Sequence, residues 1–291
     1  MTPQKSSIAL IKKSYKITLD SIKNRPAVLL PFFIFAILET LTLILICFMP
    51  RTPLVTIFGP PIKTFFGERF LHYPGFFLLV PKLSSLARMT LSVIFGSLLT
   101  GLAIILILDI YHKRQIKLNH SLNLALKKYA ALFLIYLLVT ALFYYSVKML
   151  GQGLVKYFMA GHAKLLFLNA RLWLGPVLLG LNFLIALFIQ SIFIYAVPVL
   201  IIEKAKLFSA IGRSFLVFKK LFIPTIILVG APMLIYVPII LLNANSAFLI
   251  DKFFPEFIML VTFLSIVVSS LIIDPLITIS TTFLYLINKE G

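Results

Sequence analysis

Six long stretches with hardly a charge dominate this chain, and they decide what it can fold into. They cover residues 27–49, 89–108, 129–147, 172–202, 221–242 and 257–288. A helix needs about 20 apolar residues to cross a hydrocarbon core about 30 Å thick, and each stretch comes close to or exceeds that length. A closed β-barrel is the other spanning solution, but its strands read as alternating segments of about 10 residues. These runs are continuous, so helices are expected. Composition agrees: 61% hydrophobic and 12% charged residues leave too little polar surface to coat a water-facing globule, which carries about 25% charged residues. A soluble enzyme, an antibody-like sandwich and a disordered scaffold are excluded.

The first run begins only after residue 26 and ends in Ile46-Cys47-Phe48-Met49-Pro50, with no small-x-small cleavage site. It reads as an anchor that is retained, not as a signal peptide. Cys47 is the single cysteine, which rules out an internal disulfide and a cysteine-rich zinc site. The whole chain, 1–291, is therefore expected to be one transmembrane domain held by packing. The longest connection, 50–88, mixes Phe65-Phe66 and Phe76-Phe77 with Pro50, Pro53, Pro60, Pro61, Pro74 and Pro81. It reads as an irregular, partly interfacial loop.

The net charge of +18 would point to nucleic acid in a soluble protein. Here the bases sit in short clusters between apolar runs, without any nucleic-acid-binding signature, so no nucleic-acid partner is expected. Such clusters set topology and meet anionic headgroups. Seventeen of the 27 Lys and Arg fall before the first run, after the second and fourth, and at the C-terminus; ten, Arg88 among them, fall on the other side. Both termini are thus expected to face the cytoplasm.

Three of the basic segments carry a helical pattern. Ile8, Ile11, Tyr15, Leu19 and Ile22 form an apolar stripe beside Lys5, Lys12, Lys16 and Lys23; Phe208, Ile211, Phe215 and Phe218 form another. Leu118, Leu122, Ala125 and Tyr129 repeat it more weakly. Basic amphipathic helices of this kind lie in the headgroup layer with the apolar face down. The expectation is an all-α polytopic bundle of six transmembrane helices with three basic amphipathic interfacial helices. It forms a pseudo-threefold repeat of helix plus hairpin over units 5–110, 112–202 and 203–288.

Charges inside spans point to function, since each costs about 2.5–3.5 kcal/mol at a helix centre on insertion scales. Glu39 lies midway through the first run, and Asp274 precedes Pro275, where a kink is expected because proline cannot donate its backbone hydrogen bond. Glu39 could be satisfied by Thr40, Thr42 or another span. Asp109 and Glu203 close the second and fourth runs, and Arg213 follows on the third amphipathic helix. Placing Asp274 toward the cytoplasmic end lets Asp109, Glu203, Arg213 and Asp274 meet in one cluster. Such a cluster would either fasten the amphipathic helix to the bundle or serve a proton, an ion or a headgroup. Asn182 and Gln190, eight apart, share nearly one face and read as interhelical glue. His72, His112, His120 and His162 fall in connections on opposite sides, so no metal site and no cofactor are expected. Gly151-Gln152-Gly153 and Gly175-Pro176 read as loop and kink signals. No nucleophile elbow, His-Glu-x-x-His helix or phosphate-cradling loop occurs, so the chain is not expected to be an enzyme.

The run Tyr195-Ala196-Val197-Pro198-Val199-Leu200-Ile201-Ile202-Glu203, followed by Ser209-Ala210-Ile211-Gly212-Arg213-Ser214-Phe215, resembles a segment of a group of bacterial six-span proteins. That group includes the membrane domain of glycerophosphodiester phosphodiesterases and uncharacterised relatives. The specific part covers about twenty residues. The resemblance implies the membrane module without the hydrolase, a bacterial inner-membrane location, and structural roles for Pro198, Glu203, Arg213 and Ser214.

Three functional readings remain open: a transport-associated or scaffolding subunit in envelope or lipid handling, a small proton-coupled transporter using Asp274 and Glu39, and an intramembrane lipid-modifying enzyme. Expected partners are anionic lipid headgroups of the cytoplasmic leaflet, with a protein partner or a second copy of the chain also open. A water-accessible cavity reaching Asp274 or Glu39 would favour transport. A lateral opening would favour lipid handling, and a dry bundle with Glu203 paired to Arg213 would favour scaffolding.

Overall fold

The computed structural model describes residues 7–159 and 170–290; Lys5, His162 and Lys164 lie outside them. Among the described residues the protein is all-α. In chain order the helices are α1 (Ser7–Asn24), α2 (Leu30–Phe48), α3 (Leu54–Phe66), α4 (Val80–Leu91) and α5 (Ser97–Tyr111). Then follow α6 (Leu118–Lys127), α7 (Tyr129–Met159), α8 (Ala170–Phe193), α9 (Ala196–Ile202) and α10 (Leu207–Lys220). The last are α11 (Phe222–Leu234), α12 (Val237–Ala244), α13 (Ser246–Lys252), α14 (Phe257–Val267) and α15 (Asp274–Glu290). π-helical turns, Ser92–Gly96 and Val268–Ile273, join α4 to α5 and α14 to α15 without a break.

Among the described residues five helical stretches are long and apolar enough to cross a membrane: Pro26–Phe48, Val80–Tyr111, Tyr129–Gly153, Gly175–Ile202 and Phe257–Glu290. A sixth arises only if α10 and α11, bent by 95° at Leu221, are taken together. Apolar side chains cover their outer faces, among them Phe33, Ile37 and Leu41 on α2 and Phe222, Ile223 and Ile227 on α11. Exposed apolar rows of this extent would aggregate in water and are stable in lipid. The protein is an integral membrane protein.

The middle of the bundle is built from helices buried on every side, the arrangement expected of a helix that is apolar all round. Gly101 to Ile107 of α5, Ala196 to Leu200 of α9 and Ile277 to Ile287 of α15 are enclosed except Thr278 on α15. Gly101 is needed there, because a Cβ would lie 2.6 Å from Leu132 Cδ1 on α7. The amphipathic helices α1, α6 and α10 each bury a serine, Ser14, Ser121 and Ser214, against this core. Ser14 donates to the Ser280 carbonyl at 2.5 Å, and Ser214 to the Ile192 carbonyl at 2.6 Å. The turn after α5 and the turn after α9 each place a lysine, Lys113 and Lys204, in the left-handed region at φ 54° and 52°.

Four expectations from the sequence need correction. The 50–88 connection is a folded cap: α3 places Ile62 with Phe76, Leu79 and Val80 against Leu43 and Ile46 of α2 and Ile266 of α14. The helix of the second run starts at Val80, not Met89, so Arg88 is inside it and not in a loop. The fifth run is not one helix, since α11 stops at Leu234 and α12 restarts before Pro238, which lacks the N–H that would continue the ladder. Helices run through Gly151, Gly153, Gly175 and Pro176; lipid favours a hydrogen-bonded backbone strongly enough to override weak propensity.

Candidate functional site: a charged triad below a cavity

The mid-membrane site follows from three helices that each bring one charge. Glu39 is thirteen residues into the span that opens at Pro26, and Asp274 is sixteen residues before Glu290. At 1.5 Å per residue these are about 20 and 24 Å from those helix ends, so both sit near the middle of their spans. Arg88, on α4, supplies the positive charge. Its Nη2 is 2.9 Å from Asp274 Oδ2, its Nε is 3.4 Å from Glu39 Oε1, and its Nη1 donates to Ser269 Oγ. Ser270 donates to the other Glu39 oxygen. Thr40 and Thr42 do not serve Glu39; their hydroxyls turn back to the Ala36 and Leu38 carbonyls of their own helix. The last span serves one oxygen of this carboxylate through Ser270, while Oε1 makes no hydrogen bond among the described residues.

Both π turns abut the triad. Ser92–Gly96 begins four residues after Arg88, and Val268–Ile273 ends against Asp274. A π turn inserts one residue into the helical ladder, swings the side chains beyond it round the axis, and recurs at functional sites. At Asp274-Pro275, where the sequence predicts a kink, the helix continues from a π turn, with Ser269 and Ser270 in the widened turn both bonded to the triad.

Above the triad lies a cavity of about 370 Å³. Arg88 and Asp274 form part of its wall, together with Phe32 and Phe35 of α2, Thr100 of α5, Tyr136 and Phe143 of α7, Gln190 and Phe193 of α8, and Thr278 and Thr282 of α15. Tyr136 donates to Thr100 Oγ1 at 2.6 Å. Thr282 Oγ1, in a residue 1% exposed, has no hydrogen-bond partner among the described residues. A buried hydroxyl left without a partner is uncommon, and this one belongs to a residue of the cavity wall. Gln190 lines the cavity, whereas Asn182, eight residues earlier on α8, is not among its wall residues.

The cluster expected of Asp109, Glu203, Arg213 and Asp274 is not one site. Glu203 and Arg213 do meet, at the end of α9, where Tyr285 donates to Glu203 Oε1 at 2.6 Å and Lys289 Nζ lies 3.4 Å from the same oxygen. Asp274 lies eleven residues, about 16 Å, along α15 from Tyr285. The side chain of Asp109 makes no ion pair or hydrogen bond among the described residues; its carbonyl accepts from the Arg114 N–H. The Tyr285 hydrogen bond above all holds the Glu203 carboxyl below the usual range; burial opposes it, and Arg213 and Lys289 add to it. Pro198 is buried in α9. The four family-like positions Pro198, Glu203, Arg213 and Ser214 thus all join α9 and α10 to the core.

Arg88, Tyr136, Thr282 and Tyr285 are site residues that the sequence reading missed. The signal for Arg88 was present: two carboxylates inside spans require a basic partner at similar depth, and Pro81 at the head of a helical pattern allows the second span to start early. No group of three or more His, Cys, Asp or Glu able to hold a metal occurs among the described residues. Comparison with protein-family models, with curated proteins and with solved structures finds no match.

Proposed function

We propose that this protein is a small proton-coupled membrane carrier that uses Asp274 and Glu39 and binds its ligand in the cavity beside Arg88 and Asp274. One observation carries the reading: a cavity of ligand size ends on an ionisable cluster deep in the bilayer. Small-molecule sites commonly have about 300–1,000 Å³, mostly apolar walls and a few convergent polar groups. Charges at membrane depth mark ion and proton routes. In this account six spans cross the bacterial inner membrane with both termini in the cytoplasm, and α11 with α12 forms the fifth. The units 5–110, 112–202 and 203–288 repeat one plan, and α1, α6 and α10 rest on anionic headgroups. The resemblance to the phosphodiesterase membrane domain fits as a likeness of this module.

The paired Glu203 and Arg213 favour a scaffolding reading. That reading explains how α10 is fastened, but gives no reason for three charges and a cavity in the bilayer interior.

The test is cysteine labelling in sealed vesicles, in a Cys47→Ser background. Thr278→Cys faces the cavity and should react with a membrane-impermeant maleimide added to either side, because a carrier opens its site alternately. Phe33→Cys, on the exposed face of α2, should react from neither side. Labelling of Thr278→Cys from one side only, or from none, would overturn the carrier reading.

A further inference from the structure

We infer that the ligand is a monovalent amphipathic organic cation, an apolar body bearing one ammonium- or phosphonium-type charge, which exchanges for one proton at Asp274. The inference rests on the carrier reading and names the substrate class of the same cavity.

Charge counting leads to it. Arg88 from α4 faces Glu39 from α2 and Asp274 from α15. The other groups acting on the cluster are the phenols Tyr136 on α7, bonded to Thr100, and Tyr236 between α11 and α12, bonded to Ser265. Two carboxylates and one guanidinium leave one negative charge in excess. Deep in a membrane that excess is relieved either by a proton or by a bound cation, and the two relieve it equally well. They are therefore mutually exclusive, which is the condition for exchange.

The geometry separates the roles of the two acids. Glu39 has a side chain 2% exposed, is held by Ser270 and Arg88, and is absent from the cavity wall. Asp274 is 34% exposed and is part of that wall. When a cation enters, the Asp274 carboxyl loses its proton to water in the cavity and the carboxylate pairs with the ligand; the return step takes one proton back. An anion is disfavoured on two counts. It would raise the excess to two charges, and Arg88 already gives Nη1 to Ser269 and Nη2 to Asp274, with Nε 3.4 Å from Glu39 Oε1. The wall suits a cation's apolar body: Phe32, Phe35, Phe143 and Phe193 present aromatic surface, which attracts cations as well as hydrocarbon.

Tetraphenylphosphonium and tetraphenylborate have the same shape and opposite charge, so their binding to the purified full-length protein tests the inference by equilibrium dialysis across pH. Tetraphenylphosphonium should bind, with an apparent affinity that rises about tenfold per pH unit where the proton competes and then levels off. Asp274→Asn should weaken it at least tenfold and abolish the pH dependence. Glu39→Gln should do the same although residue 39 touches no ligand, because it removes the excess charge; both variants neutralise a charge and should fold. Preference for tetraphenylborate, pH-independent binding of the cation, or unchanged binding in Glu39→Gln would overturn the cation class while two-sided labelling of Thr278→Cys still upheld a carrier. Binding of neither probe would also overturn the cation class, and the labelling result would then show separately whether the carrier reading survives.

Discussion

Removing Arg88 is the perturbation with the largest effect. In Arg88→Met the carboxylates of Glu39 and Asp274 lose their shared cation, and Ser269 loses its donor. Breaking a buried ion pair by deleting one partner costs about 3–5 kcal/mol, because the remaining charge stays desolvated. Glu39 is fully enclosed, so the upper part of that range applies to it; Asp274, a third exposed to the cavity, contributes less. At about 2–4 °C per kcal/mol for a chain of this size, the unfolding midpoint should fall on the order of 10 °C. The triple variant Arg88→Met/Glu39→Gln/Asp274→Asn removes all three charges together and should recover most of the loss, since replacing a whole buried ion cluster by neutral groups is often close to neutral. Thermal unfolding in detergent, followed by far-ultraviolet circular dichroism, measures both. An arginine in an exposed loop would change stability by less than about 0.5 kcal/mol. A midpoint for Arg88→Met within about 2 °C of wild type would therefore refute the buried triad.

The Glu203 cluster predicts smaller effects. Tyr285→Phe removes a hydrogen bond to a charged acceptor and should cost about 1.5–3 kcal/mol, whereas Arg213→Ala, with Arg213 56% exposed, should cost about 1 kcal/mol or less; chemical unfolding of each variant measures the difference. Glu203 titrates lower when folded than when unfolded, so its stabilisation is present above the ordinary glutamate range near pH 4.3 and is lost as pH falls through its depressed value. The stability gap between wild type and Glu203→Gln should accordingly be full at pH 6–7 and close below about pH 4. Gly101→Val drives side-chain atoms into Leu132 across the α5–α7 contact and should destabilise by about 1–3 kcal/mol, whereas the same change at Gly180, which has open space around it, should lose only packing-neutral amounts in the same melts.

What could be read from the sequence was what hydrophobicity alone decides. Long uncharged runs located helices, and the stripes of α1 and α10 located amphipathic helices, because those signals are local and add along the chain. Arg88 was lost for the same reason: a run counted from its first uncharged window begins at Met89, although the helix begins at Val80. The cap over 50–79 was hidden by its prolines, which read as loop while Ile62, Phe76 and Leu79 fold onto α2 through contacts distant in sequence. Asp274 was recognised as unusual, but its partners were misassigned, since the helix runs on to Glu290 and puts Asp274 mid-span, away from the end where Glu203 and Arg213 meet. Glu203 and Arg213, only ten residues apart, were paired correctly because their contact is nearly local.

Proton release on ligand binding addresses the central claim most directly. In a lightly buffered solution of the purified protein, adding tetraphenylphosphonium at a pH where the site still holds its proton should release one proton per cation bound. Asp274→Asn should release none. Cation binding without proton release, or equal release from Asp274→Asn, would contradict the account.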